Sequence, residues 1–184
     1  MIRIAAISGS LRAKSYNTGL LRAGAALVPA GTTLDVLSID AVPLYSGDIE
    51  ARAFPSSVSA LKEGIATADG LLLATPEYNG SLPGVLKNAI DWMTRPPEDK
   101  ERVFGARPVA LMGATTSGFG TVLSQSAWLP VLKKLRMRPW FGGLLTLSRA
   151  DTVFDPDAVL TDEHTRQVLK DFLDGFVRFI EAGR

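Results

Sequence analysis

The chain has 184 residues, 46% of them apolar and 21% charged, with no cysteine, one histidine and a net charge of +1. At roughly 150 residues per domain this length predicts one domain over 1–184, large enough to build a core without disulfide or metal staples. The absence of cysteine excludes thiolate zinc sites, iron–sulfur clusters, CxxC redox chemistry and a cysteine nucleophile, so any redox activity must use a bound cofactor, and the near-zero charge argues against a nucleic-acid partner.

In chain order, Met1-Ile2-Arg3 is followed by a short apolar run at 4–7 that stops at Ser8-Gly9-Ser10, within a strand segment at 2–7. The run is too short for the core of a secretory signal, and no stretch approaches the ~20 apolar residues of a membrane span, which predicts a cytoplasmic protein with no transmembrane segment. The segment reads as a buried strand, followed by a helix over about 17–28, a strand over 34–39 and a helix over 57–66. A third strand is predicted at 71–75 and a helix at 84–93. Residues 95–107, with Pro96, Pro97 and the charge run Glu98-Asp99-Lys100-Glu101-Arg102, read as a solvated excursion. A strand at 109–114, a helix over about 120–135 and a strand at 144–147 follow. The last element is a helix on which Val168, Leu169, Phe172, Leu173, Phe176, Val177 and Ile180 make one apolar stripe. Near-continuous apolar strands alternating with amphipathic helices predict a doubly wound α/β fold around a parallel sheet, with ligands outside the carboxyl ends of the strands.

The loops after the strands are therefore where chemistry is expected. After the first strand, Ser8-Gly9-Ser10-Leu11-Arg12-Ala13-Lys14-Ser15-Tyr16-Asn17 leads into a helix. Such a loop converges unpaired N–H groups and a helix dipole on one point, where an anion can sit; the alternative is that Ser15 or Asn17 caps the helix and Gly9 makes the turn. It is neither GxxxxGK[ST] nor GxGxxG, and the nearest approach to the former, at 113–118, is followed by Phe119-Gly120 where Lys and Ser or Thr are required. After the third strand, Thr75-Pro76-Glu77-Tyr78-Asn79-Gly80-Ser81-Leu82-Pro83-Gly84 is stiffened by two prolines. It reads either as a wall for a flat ring or as an ordinary connection in which Glu77 and Asn79 are solvated.

SGSLRxxSxN after the first strand and TPEYNxSxPGxLKNAIDW after the third resemble the NADPH-dependent FMN reductase family of flavodoxin-like proteins, in particular its chromate and quinone reductase subgroup. The similarity continues through Pro43-Leu44-Tyr45-Ser46-Gly47-Asp48-Ile49-Glu50 and Thr94-Arg95-Pro96. The resemblance implies a flavodoxin-like five-stranded parallel sheet in the order 2-1-3-4-5 and a noncovalent FMN. Its phosphate would lie on Ser10, Arg12, Ser15, Tyr16 and Asn17, with Pro76, Glu77, Tyr78, Asn79 and Gly80 lining the ring. Thr115, Ser117 and Gly118 would approach the pyrimidine side; Phe119 separates Gly118 from Gly120, where relatives often carry a denser glycine pair. The family implies NADH or NADPH as donor, quinones and further small acceptors (flavins, chromate, ferric complexes, azo dyes), ping-pong kinetics, and a homodimer or pair of dimers with the flavin near the interface.

Arg95 is the expected orienting cation for an acceptor or the nicotinamide, with the possibility that a neighbouring subunit supplies it. An electron-carrier flavodoxin is the competing reading, but carriers usually combine an acidic surface with a Thr-rich phosphate loop, whereas this loop holds Arg12 and Lys14. His164 reads as a surface or capping residue, Asp91 and Trp92 as packing and helix-end groups, and Trp128, Trp140, Phe119 and Phe141 as core or interface. Asp151, Asp155 and Asp157 lack the spacing of a calcium loop.

Overall fold

In the computed structural model, which describes residues 1–183, the first strand β1 (Ile2–Ser8) leads into α1 (Tyr16–Leu27) and β2 (Thr32–Leu37). Two helices, α2 (Gly47–Arg52) and α3 (Ser56–Ala66), precede β3 (Gly70–Ala74), and α4 (Gly84–Met93) and α5 (Asp99–Phe104) precede β4 (Pro108–Ala114). Then come α6 (Val122–Lys134), β5 (Arg138–Pro139), β6 (Leu145–Leu147), a 3-10 turn at Ala150–Thr152 and α7 (Glu163–Glu181). The sheet is parallel in the order β2-β1-β3-β4-β5, with β6 also on β4, as the flavodoxin-like reading implied.

The pleat of β1 explains how one short strand supports two layers. Ile2, Ile4 and Ala6 face a core closed by Leu20 and Leu21 of α1 and by Leu169, Phe172, Leu173, Phe176, Val177 and Ile180 of α7. Ala5 and Ile7 point the other way, into a core with Val58, Leu61 and Ile65 of α3, Leu86, Ile90 and Trp92 of α4, and Trp128 and Leu132 of α6. The α7 stripe is therefore core from Leu169 to Ile180, while its first member, Val168, is 40% exposed; the helix begins five residues before the stripe, where the Asp162 carboxylate accepts from the Thr165 N–H at 2.7 Å. His164 is exposed in that first turn.

Three expectations are corrected. The edge position expected to hold one strand at 144–147 is filled by two fragments. Arg138 and Pro139 pair with Pro108 and Val109, and Leu145 to Leu147 pair with Met112 to Ala114. Between them the Trp140 N–H still donates to the Val109 carbonyl at 2.8 Å, while its ring turns edge-on to Phe172 and tilted onto Phe176 of α7, with centroids 5.0 and 5.8 Å away. The excursion at 95–107 contains α5, whose Val103 and Phe104 are fully buried; their burial was hidden behind the charge run, which pairs Asp99 with Lys62 and Arg102 with Glu63. Helix α2, capped by Ser46, was not anticipated because none of its six residues is buried. No helix among the described residues is long and apolar enough to cross a membrane.

Candidate functional site

The loops that follow β1, β3 and β4 meet at the carboxyl edge of the sheet, and close backbone approach holds them together. The Gly9 N–H donates to the Ala74 carbonyl at 2.8 Å. A Cβ on Gly9 would lie 2.7 Å from Pro83 Cγ and 3.0 Å from Pro76 Cδ, so only glycine lets the first loop pass beneath the two prolines of the second.

In the first loop, Ser15 is the N-cap of α1: its Oγ accepts from the Thr18 N–H at 3.3 Å. Capping does not compete with the anion reading, because the N–H groups of Tyr16 and Asn17 open the helix without intrahelical acceptors. Ser10 and Ser15 are buried. Arg12 is exposed, and its guanidinium makes no ion pair or hydrogen bond among the described residues; Lys14, by contrast, is bound to Asp157 at 2.9 Å.

Asn17 is placed differently from a phosphate-facing side chain. Its Nδ2 donates to the Ala114 carbonyl at 2.9 Å and its Oδ1 accepts from the Ala114 N–H at 3.0 Å. The buried amide thus fastens α1 to the end of β4, leaving the Asn17 main chain to face a ligand. The Tyr16 ring packs on Phe154, with centroids 5.1 Å apart.

The second loop is rigid for reasons its sequence only partly displays. Tyr78 and Ser81 exchange two 3.1 Å backbone hydrogen bonds around Asn79 and Gly80, which both have positive φ (52° and 71°). Positive φ at both central positions is the type I′ turn that Asn-Gly favours. Tyr78, Asn79 and Gly80 are exposed and Pro76 is buried, so the tight turn stands out from a fixed base. Glu77 is not a solvated bystander: its Oε2 accepts from the N–H groups of Leu123 and Ser124 at 2.9 and 3.1 Å, capping α6. Below it, Thr75 Oγ1 is 2.7 Å from Ser124 Oγ and accepts from Trp128 Nε1 at 3.0 Å.

The third loop is supported from behind by residues 147–150. Thr115 N–H donates to the Leu147 carbonyl at 2.9 Å, and the Thr115 and Ser117 carbonyls accept from the Ala150 and Arg149 N–H groups at 3.0 and 3.1 Å. Ser117, Gly118 and Phe119 are exposed, Phe119 by 89%. Gly120 has φ 67°, and a Cβ there would lie 2.6 Å from the Thr146 carbonyl oxygen.

Arg95 lies apart from these loops. It follows the C-terminus of α4, whose ten residues span about 15 Å from the second loop. Its Nε is 3.0 Å from both Glu50 oxygens, Glu50 also accepts from the Tyr45 hydroxyl at 2.9 Å, and the Arg95 carbonyl accepts from Lys62 Nζ at 2.6 Å. Asn88 and Trp92 complete the anchor: Asn88 Nδ2 and Trp92 Nε1 both donate to the Pro43 carbonyl at 2.8 Å, and Asn88 Oδ1 accepts from Tyr45 N–H at 2.8 Å. The segment around 43–50 is thus pinned along α4. Asp91 pairs with Lys87 at 2.7 Å and Trp92 is fully buried, in keeping with packing roles.

Two carboxyls in this anchor link folding to pH. The Arg95 hydrogen bond, and then that of Tyr45, holds Glu50 below its ordinary 4.5, and the Lys62 hydrogen bond holds Asp99 below 3.8. Groups depressed in the folded state stabilise above their unfolded pKa and lose that contribution as pH falls through the folded one. The melting temperature is expected to fall on acidification below about pH 4.5, and Glu50→Gln should flatten that decline. Equal slopes in the two proteins would show that the pair does not couple to folding.

No group of three or more His, Cys, Asp or Glu among the described residues could hold a metal ion. The loop cluster offers instead an N–H-rich pocket with one free guanidinium at one end and a stiff, exposed turn at the other. Two serine hydroxyls, an open helix N-terminus and an unpaired cation suit a phosphate, and the fixed Pro76–Gly80 base suits the flat ring joined to it. Among residues that composition did not single out, Asn88, Thr75 and Ser124 hold the loops in place. Thr75 and Asn88 both stood in the recognised motif, but that Thr75 meets Ser124 is visible only in the fold.

A family model described as NADPH-dependent FMN reductase matches residues 2–152. An NAD(P)H-dependent FMN reductase of Pseudomonas aeruginosa is 41% identical over 183 residues, covering 100% of this chain and 97% of the relative. A 2-hydroxy-1,4-benzoquinone reductase of a Burkholderia species is 37% identical over 183 residues, covering 100% and 98%. The solved structure of FerB, an NAD(P)H:(acceptor) oxidoreductase from Paracoccus denitrificans, superposes with a TM-score of 0.87 at 33% identity, covering 99% of this chain and 98% of that one.

Proposed function

The chain belongs to the NADPH-dependent FMN reductase family, and from that premise we propose that residues 1–184 form one FMN-binding unit that passes electrons from NADH or NADPH to quinones. When bound, FMN supplies the chemistry of accepting hydride and handing electrons on. The protein's part is to bind, orient and shield. Arg12, the hydroxyls of Ser10 and Ser15 and the N–H groups opening α1 at Tyr16 and Asn17 hold the phosphate. The base and turn from Pro76 to Gly80 stand against the ring, and Thr115, Ser117 and Gly118 offer polar groups to its pyrimidine side. Donor and acceptor would bind in turn, and the expected kinetics are ping-pong.

The observation that carries this reading is the pairing of the unpartnered Arg12 with the open N-terminus of α1, beside a ring wall fixed by Gly9, Pro76 and Pro83. Flavins, chromate, ferric complexes and azo dyes are further acceptors within the proposal, since an exposed face selects little. A homodimer or pair of dimers fits the exposure of Phe119, Leu123, Phe141 and Leu144, between 57% and 89%. In such an assembly Arg95, which is too far along α4 to serve its own loops, orients an anionic acceptor at a neighbouring subunit.

The test is anaerobic. Protein loaded with FMN should lose its yellow colour on addition of NADH or NADPH and regain it with 1,4-benzoquinone. Bleaching only in the presence of a separate reductase would mark an electron carrier, and a chain that takes up no FMN would end the proposal.

A further inference from the structure

The joint between the second loop and α6 contains more charge than its architecture requires. Thr75, Ser124 and Trp128 already bind the end of β3 to the first turns of α6 through neutral hydroxyl and indole groups. Glu77 adds a carboxylate, with Oε2 on the N–H groups of Leu123 and Ser124 and Oε1 without a hydrogen-bond partner among the described residues. Neutral amide side chains of the same reach would satisfy the same N–H groups. A carboxylate does something they cannot: the N-terminus of a 13-residue helix carries the equivalent of about +0.5 elementary charge, and a full negative charge there reverses the local sign. That reversal occurs between the two loops assigned to the ring.

The geometry points to Glu77 as a positioning residue that also sets the reduction potential of the bound FMN. This rests on the functional reading above. Reduction adds negative charge to the ring, and a fixed negative charge at the α6 N-terminus disfavours it, so Glu77 keeps the potential low and the reduced cofactor a stronger donor to quinones. With Glu77 neutralised, the exposed helix end favours the reduced form, as fixed dipoles and charges do in a partly dry site. The capping geometry and the field are separable, because glutamine accepts the same N–H donors without the charge.

The experiment is a redox titration of FMN-loaded protein against reference dyes, with FMN affinity measured by flavin fluorescence quenching. Glu77→Gln is expected to shift the midpoint potential to more positive values with FMN affinity at least as tight as wild type and an apoprotein melting temperature close to wild type. Glu77→Ala should show the same sign of shift together with a lower melting temperature, since it also loses the cap. Asp171→Asn, which removes a carboxylate from α7 on the opposite face of the sheet, should leave the potential where it is. An unchanged potential in Glu77→Gln, or an equal shift in Asp171→Asn, overturns the assignment while leaving FMN binding intact. A wild-type chain that takes up no FMN would instead overturn the functional reading on which the assignment rests.

Discussion

Arg12→Ala is expected to weaken FMN binding roughly ten- to a hundredfold, while the melting temperature of the FMN-free protein stays at the wild-type value. A hydrogen bond between charged groups contributes about 1.5–3 kcal/mol, and each 1.4 kcal/mol is a factor of about ten in affinity. The FMN-free protein should be indifferent because the exposed guanidinium makes no internal contact that the substitution would remove. Lys14 provides the comparison. It stands two residues away, but its charge is directed at Asp157, with both side chains more than half exposed, and exposed pairs of this kind contribute about 0–1 kcal/mol. Lys14→Ala should therefore change FMN affinity by no more than a few-fold. Fluorescence titration of the apoproteins separates the two positions, and added salt should erode the Arg12 contribution further by screening it. Equal FMN affinity in wild type and Arg12→Ala would remove Arg12 from the phosphate site.

Asn17→Ala is expected to lower the stability of the FMN-free protein by about 2–6 kcal/mol, because it leaves both the N–H and the carbonyl of buried Ala114 without partners, at about 1–3 kcal/mol each. That is a large share of the roughly 5–15 kcal/mol that holds an ordinary domain together. FMN affinity should fall as well, but indirectly, since α1 and the end of β4 lose their tie. Denaturant unfolding of the apoprotein is the measurement. Wild-type stability with weakened FMN binding would show that the Asn17 side chain contacts the phosphate directly and that its bonds to Ala114 contribute little. Asn17→Asp sharpens the comparison: it keeps an acceptor for the Ala114 N–H but places a carboxylate oxygen against the Ala114 carbonyl, so it should be at least as damaging as alanine.

Asn17 also shows where reading residues one at a time fails. From the sequence it is a polar side chain at the start of a helix after a glycine loop, equally suited to a cap, a phosphate donor or a bridge. The bridge spans 97 positions of sequence, and no local pattern announces it. Glu77 was legible as part of a ring wall but not as the cap of a helix that begins 45 residues later. The donors it accepts from are main-chain N–H groups, which every sequence has. Arg95 was legible as a cation near the flavin-side helix; that it faces Glu50 and lies a helix length from the loops follows from the ten residues of α4 that separate it from the second loop and from the 43–50 segment folding back along that helix. The strands and helices themselves were much easier to read. The runs at 4–7, 71–75 and 109–114 lie inside the sheet with both faces covered, so their apolar character is near-continuous, and α4 was bounded correctly because Pro83 and Gly84 mark its start.

The class of chemistry and its approximate address are already written in the linear chain. A cysteine-free chain has to borrow a cofactor for redox work, alternating strands and helices place the ligand at the carboxyl ends of a parallel sheet, and two long motifs single out the first and second loops. These are properties of composition, periodicity and local turn chemistry, which act over a few residues and survive in a linear reading. The tertiary structure alone decided which polar groups are spent on holding the loops and which remain free for a ligand. Asn17 and the capping oxygen of Glu77 are committed to distant backbone, Lys14 to Asp157, and Arg12 to nothing. The reason is physical: a buried or bridging hydrogen bond joins whatever the fold brings within about 3 Å, and that proximity is set by the packing of helices on both faces of the sheet.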